Sequence, residues 1–159
     1  MAREFCKTWW GNAWLQALSH IDYSNRIPRG ARYARNGSVK SVVFEGNKIL
    51  AKVQGSRVKP YTVTMTVKKF SQAEISRLID GILENLSVVP QLLNMNLSPA
   101  VLDIAKEAKL EVFPTSWHDI DMYCSCPDWA VPCKHIAAVV YMVAVSYTHL
   151  RAHETCADL

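Results

Sequence analysis

The sequence lacks long apolar runs and has few of the residues that mark fibrous or low-complexity chains. No stretch approaches the roughly 20 apolar residues that a membrane-spanning helix requires. The first residues, MAREFCKTWWGN, contain no apolar stretch followed by a small-residue cleavage site, unlike a secretory signal. With only six glycines and seven prolines, and with 50% hydrophobic residues, the chain is neither collagen-like nor disordered. We therefore expect a folded protein in the cytoplasm, where thiols stay reduced.

Motifs of the common enzyme classes are also missing. The chain has no glycine-rich phosphate loop, no spaced carboxylate pair with a clear purpose and no nucleophile motif. We therefore predict that the protein is not an enzyme, and that any ATPase activity would come from a partner chain.

The net charge of +4 conceals two regions of opposite sign. Residues 22–69 contain eleven Lys or Arg against two acidic residues, for a net charge of +9. Residues 70–144 contain four basic against nine acidic residues, for a net charge of −5. The first region is therefore suited to a polyanionic partner, and the second is not.

Arginines recur every third residue in one part of the basic region. They are Arg26, Arg29, Arg32 and Arg35, within NRIPRGARYARNGSV. Because Pro28 and Gly30 interrupt this segment, we predict an extended or looped basic arm rather than a helix. The arm, together with Arg57 in a later bend, could contact DNA or RNA phosphates, while Tyr33 could stack on a base. The alternative is a solvated loop whose arginines pair with carboxylates of the acidic region.

Hydrophobic periodicity predicts an α+β protein. Residues 8–18 have a helical period, and we expect their tryptophans to anchor this helix rather than to stack on nucleic acid. From Ser38 onward the period is two, which predicts a three-stranded antiparallel meander with its first turn at Gly46–Asn47. A helical middle follows, beginning with a capping box at Ser71 and Glu74, and we expect its apolar stripes to lie in the core.

The end of the chain does not resemble the sequence before it. The helical pattern of HIAAVVYMVA ends at Ala144 without a cap, and residues 145–155 resemble a translated transposase-type sequencing adapter. We therefore predict that residues 145–159 are a translated sequencing-adapter artefact. On this interpretation His149, His153 and Cys156 are excluded as metal ligands.

Four potential metal ligands lie within the segment YCSCPDWAVPCKH, at Cys124, Cys126, Cys133 and His135. Three thiolates and an imidazole are the donors of a closed tetrahedral zinc site. A Cys-x-Cys pair at the end of a strand directs both thiols to one side, because side chains alternate along a strand. Pro132 precedes a predicted helix that has Cys133 and His135 in its first turn. We predict a structural Zn²⁺ bound by these four residues, with a C-terminal strand–turn–helix around it.

Other interpretations of the cluster remain open. The cysteines could be small buried residues, or one could be a nucleophile activated by His135. An iron–sulfur cluster is disfavoured, since such clusters are usually held by four thiolates. His118 is close in sequence and is the reserve ligand.

The pattern C-x-C, six residues, C-x-H resembles the SWIM zinc finger. The segments TWWGNAWLQAL, RIPRGARYARNGSV and VQGSRVKPYTVT further resemble uncharacterised bacterial SWIM-containing proteins, so that the resemblance covers nearly all of residues 7–144. It implies that residues 111–144 form a SWIM-type finger with the four zinc ligands named above. It also implies an accessory role beside a Swi/Snf-type ATPase, and no catalytic residues. We predict that residues 1–110 form an α+β domain that includes the basic arm.

Two functions are compatible with these features. In the first, the protein binds nucleic acid through the basic region, and the finger presents Trp129 and Lys134 to the same nucleic acid. In the second, the finger docks a protein partner, since Asp119, Asp121 and Asp128 discourage phosphate contact by the finger itself. A division of labour, with the finger binding protein and the arm binding nucleic acid, combines the two.

Overall fold

The structure is a computed structural model that describes residues 8–19, 26–94, 97–115, 117–128 and 130–153, without the side chains of residues 19, 26, 27, 117 and 146–153. The elements are α1 (Trp9–Ser19), α2 (Arg26–Arg35), β1 (Val39–Glu45), β2 (Lys48–Val53), β3 (Tyr61–Val67), α3 (Gln72–Glu84), α4 (Val89–Leu93), α5 (Ala100–Glu107), a short 3-10 helix (Trp117–Asp119), β4 (Ile120–Cys124) and α6 (Lys134–His153). The predicted α+β class is confirmed.

The sheet has four antiparallel strands in the order β1-β2-β3-β4. The β1–β2 turn lies where predicted, and Gly46 adopts a φ of 60° that favours glycine. The prediction of a three-stranded meander is wrong in one respect, since β4, from the zinc-ligand segment, pairs with β3. In that pairing Val63 lies opposite Cys124, and Val67 lies opposite Ile120. This long-range pairing gives the edge of β3 a partner that local periodicity does not reveal.

The predicted basic arm is a helix, α2, so the prediction of an extended or looped segment is wrong. Pro28 is the third residue of α2, in the first turn, where backbone N–H groups have no intrahelical partner to lose. Gly30 is buried against α6: a Cβ there would lie 2.5 Å from both the carbonyl carbon and the Cβ of Ala137. Close packing of α2 on α6 therefore requires glycine at this position. The free energy of this packing offsets the low helix propensity of glycine.

One hydrophobic core joins α1 and α6 to the inner face of the sheet. Its fully buried side chains include Val53, Val63 and Met65 from the strands and Val140 from α6. Trp14 of α1 is 8% exposed and donates a hydrogen bond from Nε1 to the Val140 carbonyl at 3.2 Å, so this tryptophan anchors its helix. The core draws on residues from both sides of the predicted division at residue 110, and that division stays a prediction.

A second cluster joins α3, α4 and α5 around Val88, Val101 and Ile104. The capping box of α3 is confirmed, with Ser71 and Glu74 bonded reciprocally. The prediction that the α3 stripe is core is wrong in part, because α3 has no buried residue among those described. Its exposed aliphatic residues are Ile75 (38%), Ile79 (49%) and Leu83 (58%), followed just after the helix by Leu86 (70%). Only Leu78 and Ile82 of this stripe pack against the second cluster.

Helix α6 continues past Ala144 to His153. The side chains of His149 and His153 are not described, and Cys156 lies outside the described residues. The adapter interpretation of residues 145–159 stays a prediction. In the part of the chain that the structure describes, no helix combines the length and apolarity needed to cross a bilayer.

Candidate metal centre

The four predicted ligands come from the end of β4, the loop after it and the start of α6. Cys124 is the last residue of β4, on the side of the strand that packs toward the core, and Cys126 follows two residues later. Cys133 immediately precedes α6 and is 1% exposed, while His135 is the second residue of α6 and is 3% exposed. Pairing of β4 with β3 and packing of α6 on the sheet thus bring the two halves of the motif together.

The four donor atoms lie within 4.8 Å of one another. Nδ1 of His135 is 3.9 Å from Sγ of Cys124 and 3.8 Å from Sγ of Cys133. Zinc–sulfur bonds of about 2.3 Å and zinc–nitrogen bonds of about 2.0–2.1 Å in a tetrahedron separate the donors by about 3.6–3.8 Å. The side chains therefore fit a single Zn²⁺ with Nδ1 as the histidine donor. This convergence disfavours the interpretation of the cysteines as unrelated buried residues.

The three thiols have different acidities. The Cys124 thiol donates to the Cys133 sulfur, which lowers the pKa of Cys133 to about 4 despite its burial, and His135 and the backbone amide of Ile136 add to this effect. The same hydrogen bond, together with burial, raises the pKa of Cys124, and burial raises the pKa of Cys126. The lowered pKa favours the thiolate form of Cys133 at the start of α6, as expected beside helix N-terminal amides.

Zinc binding at pH 8 is expected to displace about two thiol protons rather than three. Cys133 is already ionised at this pH, whereas Cys124 and Cys126 with raised pKa values must each lose a proton to bind zinc. Calorimetric titration of the apoprotein with zinc, in buffers of different ionisation enthalpy, measures this number. A value near three would show that Cys133 is protonated in the apoprotein.

His135 is enclosed by residues from the N-terminal half of the chain. Its ring centroid lies 4.7 Å from that of Tyr61 in β3, and 5.6 Å from that of Tyr33 in α2 at a near-perpendicular angle. Nε2, the nitrogen that does not face the thiols, is buried without a hydrogen-bond partner in the described structure. Packing against the two tyrosine rings therefore orients the imidazole.

Gly55, in the β2–β3 loop, completes this enclosure. A Cβ at Gly55 would clash with Cε2 of Tyr61 and would lie 3.0 Å from Nε2 of His135. Only glycine lets the loop backbone approach the two rings this closely. The sequence indicated a bend here, but not that the bend touches a zinc ligand.

Replacing Gly55 with Ala is expected to lower zinc affinity by about 10- to 100-fold, the range for residues that orient a metal ligand. The added methyl group would displace Tyr61 and with it the His135 ring. Competition with a chromophoric chelator measures the affinity, and Ser56→Ala, an exposed neighbour, serves as the control. An affinity equal to that of the wild type would show that Gly55 does not constrain the site.

The predicted nucleic-acid contacts lie on two elements. Arg29, Arg32 and Arg35 are exposed on α2, of which Arg26 is the first residue. Arg57 is exposed in the β2–β3 loop, with its guanidinium carbon 5.9 Å from the centre of the Tyr61 ring.

Lys134 lies over the other tyrosine that contacts His135. Its Nζ lies 5.2 Å from the centre of the Tyr33 ring. The two tyrosines that enclose the zinc ligand therefore each have a cation over the ring, an arrangement that is attractive in itself. In the sequence Tyr33, Lys134 and Arg57 are separate candidates, and no motif marks Tyr61 or the common position of all four.

Two further candidates are placed differently. His118, the reserve ligand, is exposed on the 3-10 helix and is not part of the metal-binding group found among the described residues. Trp129, predicted to be presented beside Lys134, lies outside the described residues.

Comparison with known proteins supports the zinc interpretation. Residues 118–144 match the SWIM zinc finger family, and this span includes all four ligands, which confirms the resemblance for this part of the chain. The chain is also similar to a protein described as "Uncharacterized protein Rv2102" from Mycobacterium tuberculosis, with 34% identity over 141 residues. The aligned region covers 89% of this chain and 51% of that protein, so the chain spans about half the length of the curated relative. No solved structure matches the chain.

Proposed function

We propose that this chain, which contains a SWIM zinc finger at residues 118–144, is a non-catalytic module that binds nucleic acid on a surface organised by zinc. The observation that supports this function is the clustering of Tyr33, Arg57 and Lys134 around the buried ligand His135. These residues come from three separate parts of the sequence, and they combine cations with aromatic rings, as nucleic-acid-binding surfaces do.

The zinc has a structural role in this proposal. Four protein ligands leave no coordination position for water or substrate, so the ion is not a Lewis acid for chemistry. It joins the end of β4 to the start of α6 and holds His135 against the two tyrosines. Three thiolates outweigh the charge of Zn²⁺, so the centre itself does not attract phosphate. The surrounding cations supply that attraction.

We place the phosphate contacts on α2 and the β2–β3 loop. Arg29, Arg32 and Arg57 are exposed there and belong to the strongly basic part of the sequence. The strand side of the finger has exposed Asp121 and Asp128, which disfavour phosphate. The finger would then contact protein through the acidic loop that contains Asp128, while the basic side contacts nucleic acid.

The test is the salt dependence of binding to labelled DNA and RNA, measured by fluorescence anisotropy. Log affinity should fall linearly with log salt, with a slope of about −0.9 for each phosphate contact on duplex DNA. The double variant Arg29→Gln/Arg32→Gln should weaken binding and make the slope shallower by about 1 per lost contact. The matched control, Arg77→Gln/Lys106→Gln, removes two exposed charges from α3 and α5 and should leave binding unchanged. Binding that is absent, or that does not respond to salt, contradicts the proposal.

A second candidate function is a protein–protein adapter without nucleic-acid contact. The observation that favours it is the exposed aliphatic stripe of α3, since large apolar patches mark interaction sites. From the family resemblance, the partner we propose is a Swi/Snf-type ATPase in the cytoplasm. Loss of ATPase binding in a Leu83→Glu variant, with no nucleic-acid binding by the wild type, would favour this function over the first.

A further inference from the structure

The outer face of the sheet is a second surface with unusual composition. Helix α6 packs against the inner face, where Val53, Val63 and Met65 are fully buried. Because side chains alternate along each strand, the intervening residues lie on the outer face. Of these, Tyr123 is 63% exposed and Val43 is 49% exposed.

Strand register aligns one residue from each strand across this face. Val43 lies opposite Leu50, Leu50 opposite Thr64, and Thr64 opposite Tyr123. We call these four residues the central row. It ends in an exposed aromatic ring on β4, adjacent in sequence to the zinc ligand Cys124.

The neighbouring row, toward the zinc centre, is polar and basic. Nζ of Lys52 donates to Oγ1 of Thr62 at 2.7 Å, and the hydroxyl of Ser125 accepts from the Thr62 amide at 2.9 Å. This row leads into the β2–β3 loop, where Arg57 and Lys59 are exposed.

The acidic residues of the outer face lie in the row on the opposite side of the central row. There Glu45 lies opposite Lys48, whose charge offsets it, and Asp121 lies opposite Thr66. Positive charge on this face is therefore concentrated in the row that adjoins the basic β2–β3 loop. Tyr123, in the central row, lies between that row and the row that contains Asp121.

We propose that the outer face of the sheet binds single-stranded nucleic acid, with a base stacked on Tyr123 and the backbone directed toward Lys52 and the β2–β3 loop. This inference rests on the proposed nucleic-acid function and specifies its substrate class. Strands β2 and β4 are about 10 Å apart, twice the interstrand spacing, so Lys52 and Tyr123 can engage phosphate and base of the same short segment.

The chemistry of the face favours a single strand over the other occupants. Bases in a duplex are stacked on one another and cannot offer a face to a tyrosine on an open sheet, whereas unpaired bases can. A protein partner would require an apolar centre, but among the described side chains only Val43 and Tyr123 are large, hydrophobic and strongly exposed on this face. The hydroxyl groups of Thr62, Thr64 and Ser125 can instead form hydrogen bonds with the sugars, phosphates and base edges of a nucleic acid.

The experiment compares the wild type with the variants Tyr123→Ala and Tyr123→Phe. For each protein, the affinities for labelled oligothymidine, oligouridine and a DNA duplex are measured at one salt concentration. Tyr123→Ala should weaken single-strand binding by about 5- to 150-fold, the range for loss of one base–aromatic stack. Tyr123→Phe keeps the ring and should bind like the wild type. Duplex binding through α2 should be unchanged in both variants. Because Tyr123 is exposed, both should retain full zinc content and thermal stability, which are measured alongside.

Photocrosslinking is a second test, and it identifies the contacted residues directly rather than through a change in affinity. Oligonucleotides containing 5-bromouracil, irradiated in the complex, should crosslink to Tyr123 or its β3 and β4 neighbours, as identified by mass spectrometry. Unchanged single-strand affinity in Tyr123→Ala, or crosslinks confined to α2, would overturn this inference while leaving the proposed function in place. An equal loss of duplex and single-strand binding in Tyr123→Ala would also overturn it. Absence of any nucleic-acid binding by the wild type would overturn both.

Discussion

Replacing Cys133 with Ser is expected to abolish near-stoichiometric zinc binding and to unfold the β4–α6 end of the protein. The pKa of Cys133 is lowered to about 4, below those of the other two thiols, and its Sγ lies 3.8 Å from Nδ1 of His135. Structural zinc sites contribute about 10–16 kcal/mol of apparent binding free energy in isolated fingers, so loss of one ligand has a large effect on folding. Elemental analysis of the purified variant and circular dichroism measure the two consequences.

The damage should extend beyond the finger. Cys133 is itself part of the main core, and β4 pairs along the edge of β3. Hydrogen exchange should therefore accelerate in β3 as well as in β4. His118→Ala, which changes a nearby exposed histidine, is the control and should retain its zinc. Full zinc content in Cys133→Ser would contradict the four-ligand assignment.

Replacing Gly30 with Ala is expected to lower the free energy of unfolding by about 1–3 kcal/mol, the range for overpacked sites. The new methyl group would meet the Ala137 carbonyl carbon at 2.5 Å and the Ala138 nitrogen at 2.7 Å. These are backbone atoms, which no side-chain rotation can move aside, so α2 must shift away from α6. In an ordinary helix the same change would be stabilising, since alanine has the higher helix propensity.

Urea denaturation of the zinc-loaded protein measures this effect. Arg32→Ala, an exposed change two residues along the same helix, is the control and should alter stability by less than about 0.5 kcal/mol. A Gly30→Ala variant more stable than the wild type would show that α2 does not pack closely on α6. The shift of α2 should also displace Tyr33 from His135, which links this prediction to the zinc centre.

Sequence patterns were sufficient wherever the controlling interaction is local. The turn at Gly46 depends on a backbone conformation that glycine favours, and the capping box at Ser71 and Glu74 spans four residues. The donor set Cys124, Cys126, Cys133 and His135 was recognisable for the same reason, since it falls within twelve residues and its residue types define the metal chemistry.

Predictions that depended on distant contacts were incomplete. The basic segment was expected to be irregular because of Pro28 and Gly30, yet it is helical, since Gly30 fits against Ala137 more than a hundred residues away. The apolar stripe of α3 has the periodicity of a core helix. Periodicity identifies an apolar face, but it does not show whether other elements of the fold pack against that face. Ile75, Ile79 and Leu83 of that stripe are exposed, and only Leu78 and Ile82 pack against the second cluster.

The sequence by itself determined α1, the β1–β2 hairpin, the start of α3, the signs of charge along the chain and the identity of the zinc donors, because these follow from residue type and short-range spacing. Only the tertiary structure decided that β4 extends the sheet, that Tyr33, Gly55 and Tyr61 enclose His135, and that Tyr123 stands on an open face. Such relations arise from pairing and packing between segments far apart in the chain. Their energies depend on surfaces that exist only after the chain has folded.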